Sequence, residues 1–179
     1  MKHRTYSIAV SAIAGAAYAL LTVLLAPISY GAIQFRISEV LCILPCFIPS
    51  TVWGITAGCL IANLFTGNVF DMIFGTLATL IACVMVAYFG KRYGHSVKSG
   101  VFSCLAVVLI NAVVVGAVIT RAYNGMNILE HPGIFLINAG QVALGEAAVM
   151  FAAGFPLMRY LPRNRVFNEY VSKFNGTEK

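Results

Sequence analysis

An all-α integral membrane protein of six transmembrane helices, with both termini in the cytoplasm, is the fold class that three features of this sequence predict. Hydrophobic residues make up 60% of its 179 positions and charged residues only 10%, whereas about a quarter of the residues in an ordinary soluble domain are charged. Charge-free runs long enough to cross about 30 Å of hydrocarbon recur along the chain. Threading those runs through a bilayer sorts most of the Lys and Arg side chains to one side, as membrane insertion favours.

The first span, 6–26, follows Lys2 and Arg4 and carries no charge from Tyr6 to Ala26. A basic start before an apolar run also opens a signal peptide, but this run is long enough to cross the membrane and more spans follow, so it reads as the first helix. From Val40 to Phe70 the chain is again free of charge but holds Pro45 and Pro49. Proline removes a helix donor and clashes with the preceding turn. This stretch therefore reads as two short spans, 37–49 and 51–65, meeting in a tight turn near Pro49 to Thr51. The fourth and fifth spans, 71–90 and 99–120, are uninterrupted, and the sixth, 134–159, is broken only by Glu146. Residues 1–165 form one membrane domain, and 166–179 a polar cytoplasmic tail.

This threading puts Lys2, Arg4, Lys91, Arg92, Lys98, Arg159, Arg163, Arg165, Lys173 and Lys179 inside, and only Arg36 and Arg121 outside. A five-span alternative, with one kinked helix from Val40 to Phe70, splits the cations less sharply and strands Lys2 and Arg4 outside. The net charge of +6 thus expresses topology and does not call for a nucleic-acid partner. The expected location is the cell membrane, with multiple passes.

Chemistry is limited by what the spans contain. The five cysteines, Cys42, Cys46, Cys59, Cys83 and Cys104, all sit in apolar runs and are odd in number, so they form no disulfide framework. Cys42 and Cys46 share a helix face, yet no His lies in any span to complete a soft-metal site, and small apolar packing is the plainer reading. His3, His95 and His131 fall in termini or loops. No metal site, cofactor or hydrolytic centre is expected. The chain also lacks a Gly-x-x-x-x-Gly-Lys-Ser/Thr phosphate loop, and neither an internal repeat nor a pair of broken helices is evident. Uphill transport would draw its energy from a partner. A small-residue ridge on the first span, Ala12, Gly15, Ala16 and Ala19, allows close approach of another helix, either from a partner or from within the bundle.

Glu146 is the most informative residue. A carboxylate at the centre of a spanning helix costs on the order of 3 kcal/mol, so it marks a ligand, ion or proton site. Most other acids also lie in outer loops or within spans: Glu39, Asp71 and Glu130. On the last helix Asn138, Gln141 and Gly145 fall within about 60° of one another, with Glu146 about 80° round from Asn138. With Arg36, Glu39, Asn63 and Asp71 they converge on one outward-opening pocket. Each has a plainer reading: Asp71 as a helix cap, Arg36 and Glu39 as an i, i+3 pair, Asn111 as an interhelical hydrogen bond, and Thr76 and Thr79 as donors to their own helix.

The block Leu25–Glu39, reading LAPISYGAIQFRISE, resembles the loop between helices one and two of the QueT family. The likeness continues through Gly58–Leu64 (GCLIANL) and Asp71–Leu80 (DMIFGTLATL) and resumes at Gly140–Glu146 (GQVALGE). It covers nearly everything before the tail. Members of that family are substrate-binding S components of energy-coupling factor (ECF) transporters, assigned to queuosine precursors. The resemblance implies an S-component-like bundle and a transmembrane coupling subunit contacted through Ala12 and Ala16. It also implies two separate ATPase subunits and a 7-deazaguanine ligand such as 7-aminomethyl-7-deazaguanine. The chain itself would be no enzyme.

That ligand class suits the residues. A guanine-like edge offers a ring N–H and an amine side by side, which one carboxylate accepts as a bidentate pair; Glu146 is the first candidate and Glu39 the second. Gln141 and Asn63 donate and accept, and Asp71 or the remaining glutamate would take the aminomethyl cation. Tyr30 or Phe35, in the loop that also carries Gln34 and Arg36, would stack on the base. Near the midplane Glu146 lies deeper than Asn138 or Gln141, so it is either the pocket floor or a residue behind Gln141. Three alternatives stay open: an S component for another vitamin or nucleobase, a self-sufficient proton-coupled carrier, and a membrane scaffold that binds no small molecule.

Overall fold

The computed structural model describes residues 2–30 and 33–175, and for residues 2, 3 and 173–175 the backbone alone. Gly31 and Ala32 of the first loop, the side chains of Lys2, His3 and Lys173, and Glu178 and Lys179 at the end lie outside the described residues. Every regular element among the described residues is helical. Four stretches are long and apolar enough to cross a membrane: Arg4–Leu24, Asp71–Tyr93, Val97–Tyr123 and Pro132–Arg163. The first belongs to α1 (Lys2–Leu24), which is followed by the single turn α2 (Ala26–Ser29).

Between Val40 and Phe70 two shorter apolar helices are present, and they differ in kind. Ile37–Cys46 is wound as a 3-10 helix with Pro45 inside it, whereas α3 (Thr51–Leu64) is regular α-helix. Tighter winding rises about 2.0 Å per residue against 1.5 Å for an α-helix, so the ten-residue segment reaches about 20 Å. It thereby nearly matches α3, whose 14 residues span about 21 Å.

Packing of α1 on α3 is backbone against backbone. A Cβ added to Gly54 would sit 1.7 Å from the Ser11 carbonyl oxygen, and one on Gly58 2.2 Å from that of Gly15. Only glycine permits this approach. The Ser11 hydroxyl fastens the seam, donating to the Ser50 carbonyl at 2.8 Å and accepting from the Gly54 N–H at 2.9 Å. Behind it, Tyr18, Ile43, Ile55, Val86, Val107 and Met150 are fully buried and form the middle of the core.

The remaining long helices complete the bundle: α4 (Thr76–Tyr93), α5 (Val97–Val118) and α6 (Pro132–Val149), with α7 (Phe155–Tyr160) continuing the last. Single π-helical turns interrupt the long stretches at Asp71–Gly75, Ile119–Tyr123 and Met150–Gly154. Such turns insert one residue into the helical ladder and are common at functional sites. At one end of the bundle Phe47 meets the rings of His95 at 4.8 Å and Phe167 at 5.3 Å, and Arg159 donates to the His95 carbonyl at 3.3 Å. Lys91, Arg92, Lys98, Arg163 and Arg165 flank this end. The stretch after the last span winds as an amphipathic helix, α8 (Arg165–Asn175), which packs Phe167 and Val171 against the core. The i, i+4 spacing of Phe167 and Val171 encodes this face.

Candidate functional site

At the opposite end, a cavity of about 270 Å³ is lined by Tyr30, Gln34, Asp71, Ile119, Tyr123, Asn124, Asn138 and Gln141. The chain therefore brings five of the sequence-predicted residues together: Tyr30, Gln34, Asp71, Asn138 and Gln141. Each is held by its neighbours. The Tyr30 hydroxyl donates to the Ala62 carbonyl at 2.9 Å, and the Arg36 guanidinium lies 5.6 Å from the centre of its ring. Burial in this wall pushes the Tyr30 phenol up from its ordinary value. Asn138 donates to the Thr120 hydroxyl at 2.9 Å, which itself donates to the Gly116 carbonyl at 2.8 Å. Asp71 accepts a short hydrogen bond from the Tyr123 hydroxyl. Among the described residues it is the one acidic group in the lining, and no basic group joins it.

Asn63 stands behind this wall instead of in it. Its amide donates to the Asp71 carbonyl at 3.0 Å and to Cys59 Sγ at 3.4 Å. Phe35 is exposed and does not line the cavity, so of the two aromatic candidates Tyr30 alone reaches it. The first loop crosses directly over α6. A Cβ on Gly145 would fall 2.4 Å from the Gln34 carbonyl oxygen, so glycine at 145 is what lets the loop backbone seat there.

One layer deeper lies a buried polar cluster. Glu39 accepts from the Tyr18 hydroxyl at 2.5 Å and from the Cys42 thiol at 3.0 Å, and its carboxylate is 3.7 Å from Arg36 Nη1. The i, i+3 pairing anticipated from spacing is thus present, but both partners are buried, so it is no surface contact. Glu146 accepts a long bond, 3.5 Å, from Asn111 and lies within electrostatic reach of Arg36 and Glu39. Arg36 Nε, Asn111 Oδ1 and Glu146 Oε2 are all buried without a hydrogen-bond partner. An unpaired buried polar group costs about 1–3 kcal/mol. One guanidinium facing two carboxylates also leaves one negative charge uncompensated when both acids ionise. The cluster thus holds a free donor and two free acceptors. Glu146 is absent from the cavity lining, whereas Gln141, five residues before it on α6, is part of it.

Asp71 bonds Tyr123, so its carboxylate serves the site wall. Thr79 does donate back to the Gly75 carbonyl at 3.3 Å and to Cys59 at 3.1 Å, but Thr76 Oγ1 has no partner. All five cysteines are buried and free. On the first helix Ala12 and Ala16 are exposed and Ala19 is half-buried, whereas Gly15 is spent on the seam with Gly54. Sequence reasoning missed Tyr18, Tyr123 and Thr120. Their signal was faint: a hydroxyl within or at the end of an apolar span, where such a group needs a partner.

The family model of the QueT transporter matches residues 8–163. The chain is 32% identical over 163 residues to the queuosine precursor transporter QueT of Lactococcus lactis subsp. cremoris (strain MG1363), an alignment covering 86% of this chain and 91% of the relative. No solved structure matches it. A profile match over nearly the whole membrane domain, a relative matched along almost its full length, and a multi-pass helical bundle agree: the chain belongs to the QueT transporter family.

Proposed function

We propose that this protein is the substrate-binding S component of an ECF-type importer. It captures a queuosine precursor, a 7-deazaguanine such as 7-aminomethyl-7-deazaguanine, from outside the cell. The observation that carries this reading is the cavity of about 270 Å³ in which Tyr30, Gln34, Asp71, Asn138 and Gln141 meet. Its volume lies just under the range of about 300–1,000 Å³ typical for drug-sized ligands and suits a single heterocycle. Tyr30 supplies a flat face for the base, Gln34, Asn138 and Gln141 supply paired donors and acceptors, and Asp71 takes the aminomethyl cation. The deeper Arg36, Glu39, Asn111 and Glu146 cluster completes the site when the base edge, or water beneath it, satisfies the free groups.

In this reading the bundle crosses the membrane six times, with the shorter helices Ile37–Cys46 and Thr51–Leu64 as the second and third spans. The basic end faces the cytoplasm, where the positive-inside rule places it. The exposed Ala12 and Ala16 receive the transmembrane coupling subunit, and two ATPase subunits drive release inward.

Calorimetry of the purified chain against the aminomethyl and cyano deazaguanines, guanine, riboflavin, thiamine and biotin tests the reading. Expected is tight binding of the aminomethyl compound, weakened about tenfold or more in Glu146→Gln. Preference for a vitamin would reassign the substrate, and solute uptake by vesicles holding this chain alone would replace the S component with a self-sufficient proton-coupled carrier. Binding of none of these compounds would refute it.

A further inference from the structure

The wall of the solute cavity has a second side. Asp71, Ile119 and Tyr123 face the cavity, while Phe70, Phe74, Val118 and Arg121, drawn from the same two π-helical turns and their edges, line a separate groove of about 370 Å³. The groove continues over Val113, Val114 and Ala117 of α5, and Ile128 also lines it. Phe70, Phe74 and Val113 are exposed on the flank of helices long enough to span a membrane, so the medium beside them is hydrocarbon. Phe70 and Phe74 stack at 6.2 Å and form one bank.

One charge breaks this apolar lining. Arg121 lies two residues before the end of the stretch Val97–Tyr123, at the depth where lipid headgroups begin. It is exposed and, among the described residues, joins no ion pair. The other cation at this end, Arg36, is buried beside Glu39. A guanidinium at the mouth of a hydrocarbon-filled groove complements a phosphate with an acyl chain beneath it.

We propose that this groove is a binding site for an anionic phospholipid, its acyl chain lying between Phe74 and the Val113–Ala117 face and its phosphate on Arg121. A zwitterionic lipid carries its own cation beside the phosphate and gains less from the arginine. The lipid would sit on the other side of the Asp71–Gly75 and Ile119–Tyr123 turns from the transported solute and would brace them.

Native mass spectrometry of the detergent-purified chain titrated with phosphatidylglycerol or phosphatidylcholine tests this. Wild type is expected to hold phosphatidylglycerol roughly tenfold more tightly than phosphatidylcholine, the discrimination that one charge-assisted contact supplies. Arg121→Gln, an exposed change that leaves packing intact, should bring the two lipids level. Ala117→Phe, which fills the groove, should reduce both, while Leu144→Phe on α6, outside the groove, should change neither. Equal binding of the two lipids by wild type, or a preference that survives Arg121→Gln, would overturn the proposal whether or not Ala117→Phe folds.

Discussion

Replacing Gly145 with Ala adds one methyl group where the first loop rests on α6. Its Cβ would stand 2.4 Å from the Gln34 carbonyl oxygen and 2.8 Å from its carbonyl carbon, against a limit of 3.0 Å that real contacts respect. The backbone must therefore retreat by at least 3.0 − 2.4 = 0.6 Å. The loop is the part free to move, since α6 is fixed by its own ladder. Retreat lifts Gln34 from the cavity and draws Arg36 away from Glu39 and Glu146. Overpacking of this kind costs about 1–3 kcal/mol, which corresponds to roughly 5–150-fold in affinity when the strained geometry is the binding-competent one. Isothermal calorimetry with 7-aminomethyl-7-deazaguanine measures it, with Gly140→Ala as the control, because a methyl group there meets nothing within 4 Å. Binding by Gly145→Ala within twofold of wild type would show that the loop's seat on α6 does not shape the site.

Other perturbations address the pocket's charge, the seam and the basic end. Asp71→Asn should weaken the cationic aminomethyl ligand roughly tenfold or more while sparing the neutral cyano analogue, since only the former gains a charge-assisted bond; calorimetry of both ligands decides it. Gly54→Ala drives a methyl group into the Ser11 carbonyl, and a thermal unfolding midpoint in detergent lowered by roughly 5 °C or more is expected. At the basic end, partial desolvation of the surface residue His95, whose ring lies beside that of Phe47, holds its imidazole below the usual value. The unfolded chain therefore takes up the proton first as pH falls, so His95 contributes a small loss of stability as pH drops below about 6.5. Melting curves at pH 7.5 and 5.5 should show that loss shrinking in His95→Gln.

The long apolar runs and the isolated Glu146 were legible because a bilayer leaves few options: a charge-free run of sufficient length is a helix, and a charge inside one needs a role. The convergence of Tyr30, Gln34, Asp71, Asn138 and Gln141 was likewise legible, since polar residues at one end of a bundle have only each other to face. The winding was not. Nothing in the residue pattern distinguishes a 3-10 helix at Ile37–Cys46 from a short α-span, because Pro45 forbids one bond in either case. The π-helical turns leave no mark in hydropathy, yet they set which of Ile119, Tyr123 and Arg121 looks inward. Gly15 matched a small-residue ridge equally well for a partner and for α3, and only the facing Gly54 and Gly58 decide that it serves α3. Tyr18 read as one more apolar residue until its hydroxyl met Glu39, a partner 21 positions away.

The glycine seam between α1 and α3 also determines what can move. Two helices whose backbones touch have no long side chains between them to change rotamer, so they behave as a single plank. At its far end that plank carries Asn63, whose amide holds the Asp71 carbonyl in the pocket wall. A push on the exposed Ala12 and Ala16 face of α1 would therefore reach the cavity wall at Asp71 through a stiff lever, with little compliance along the way to absorb it.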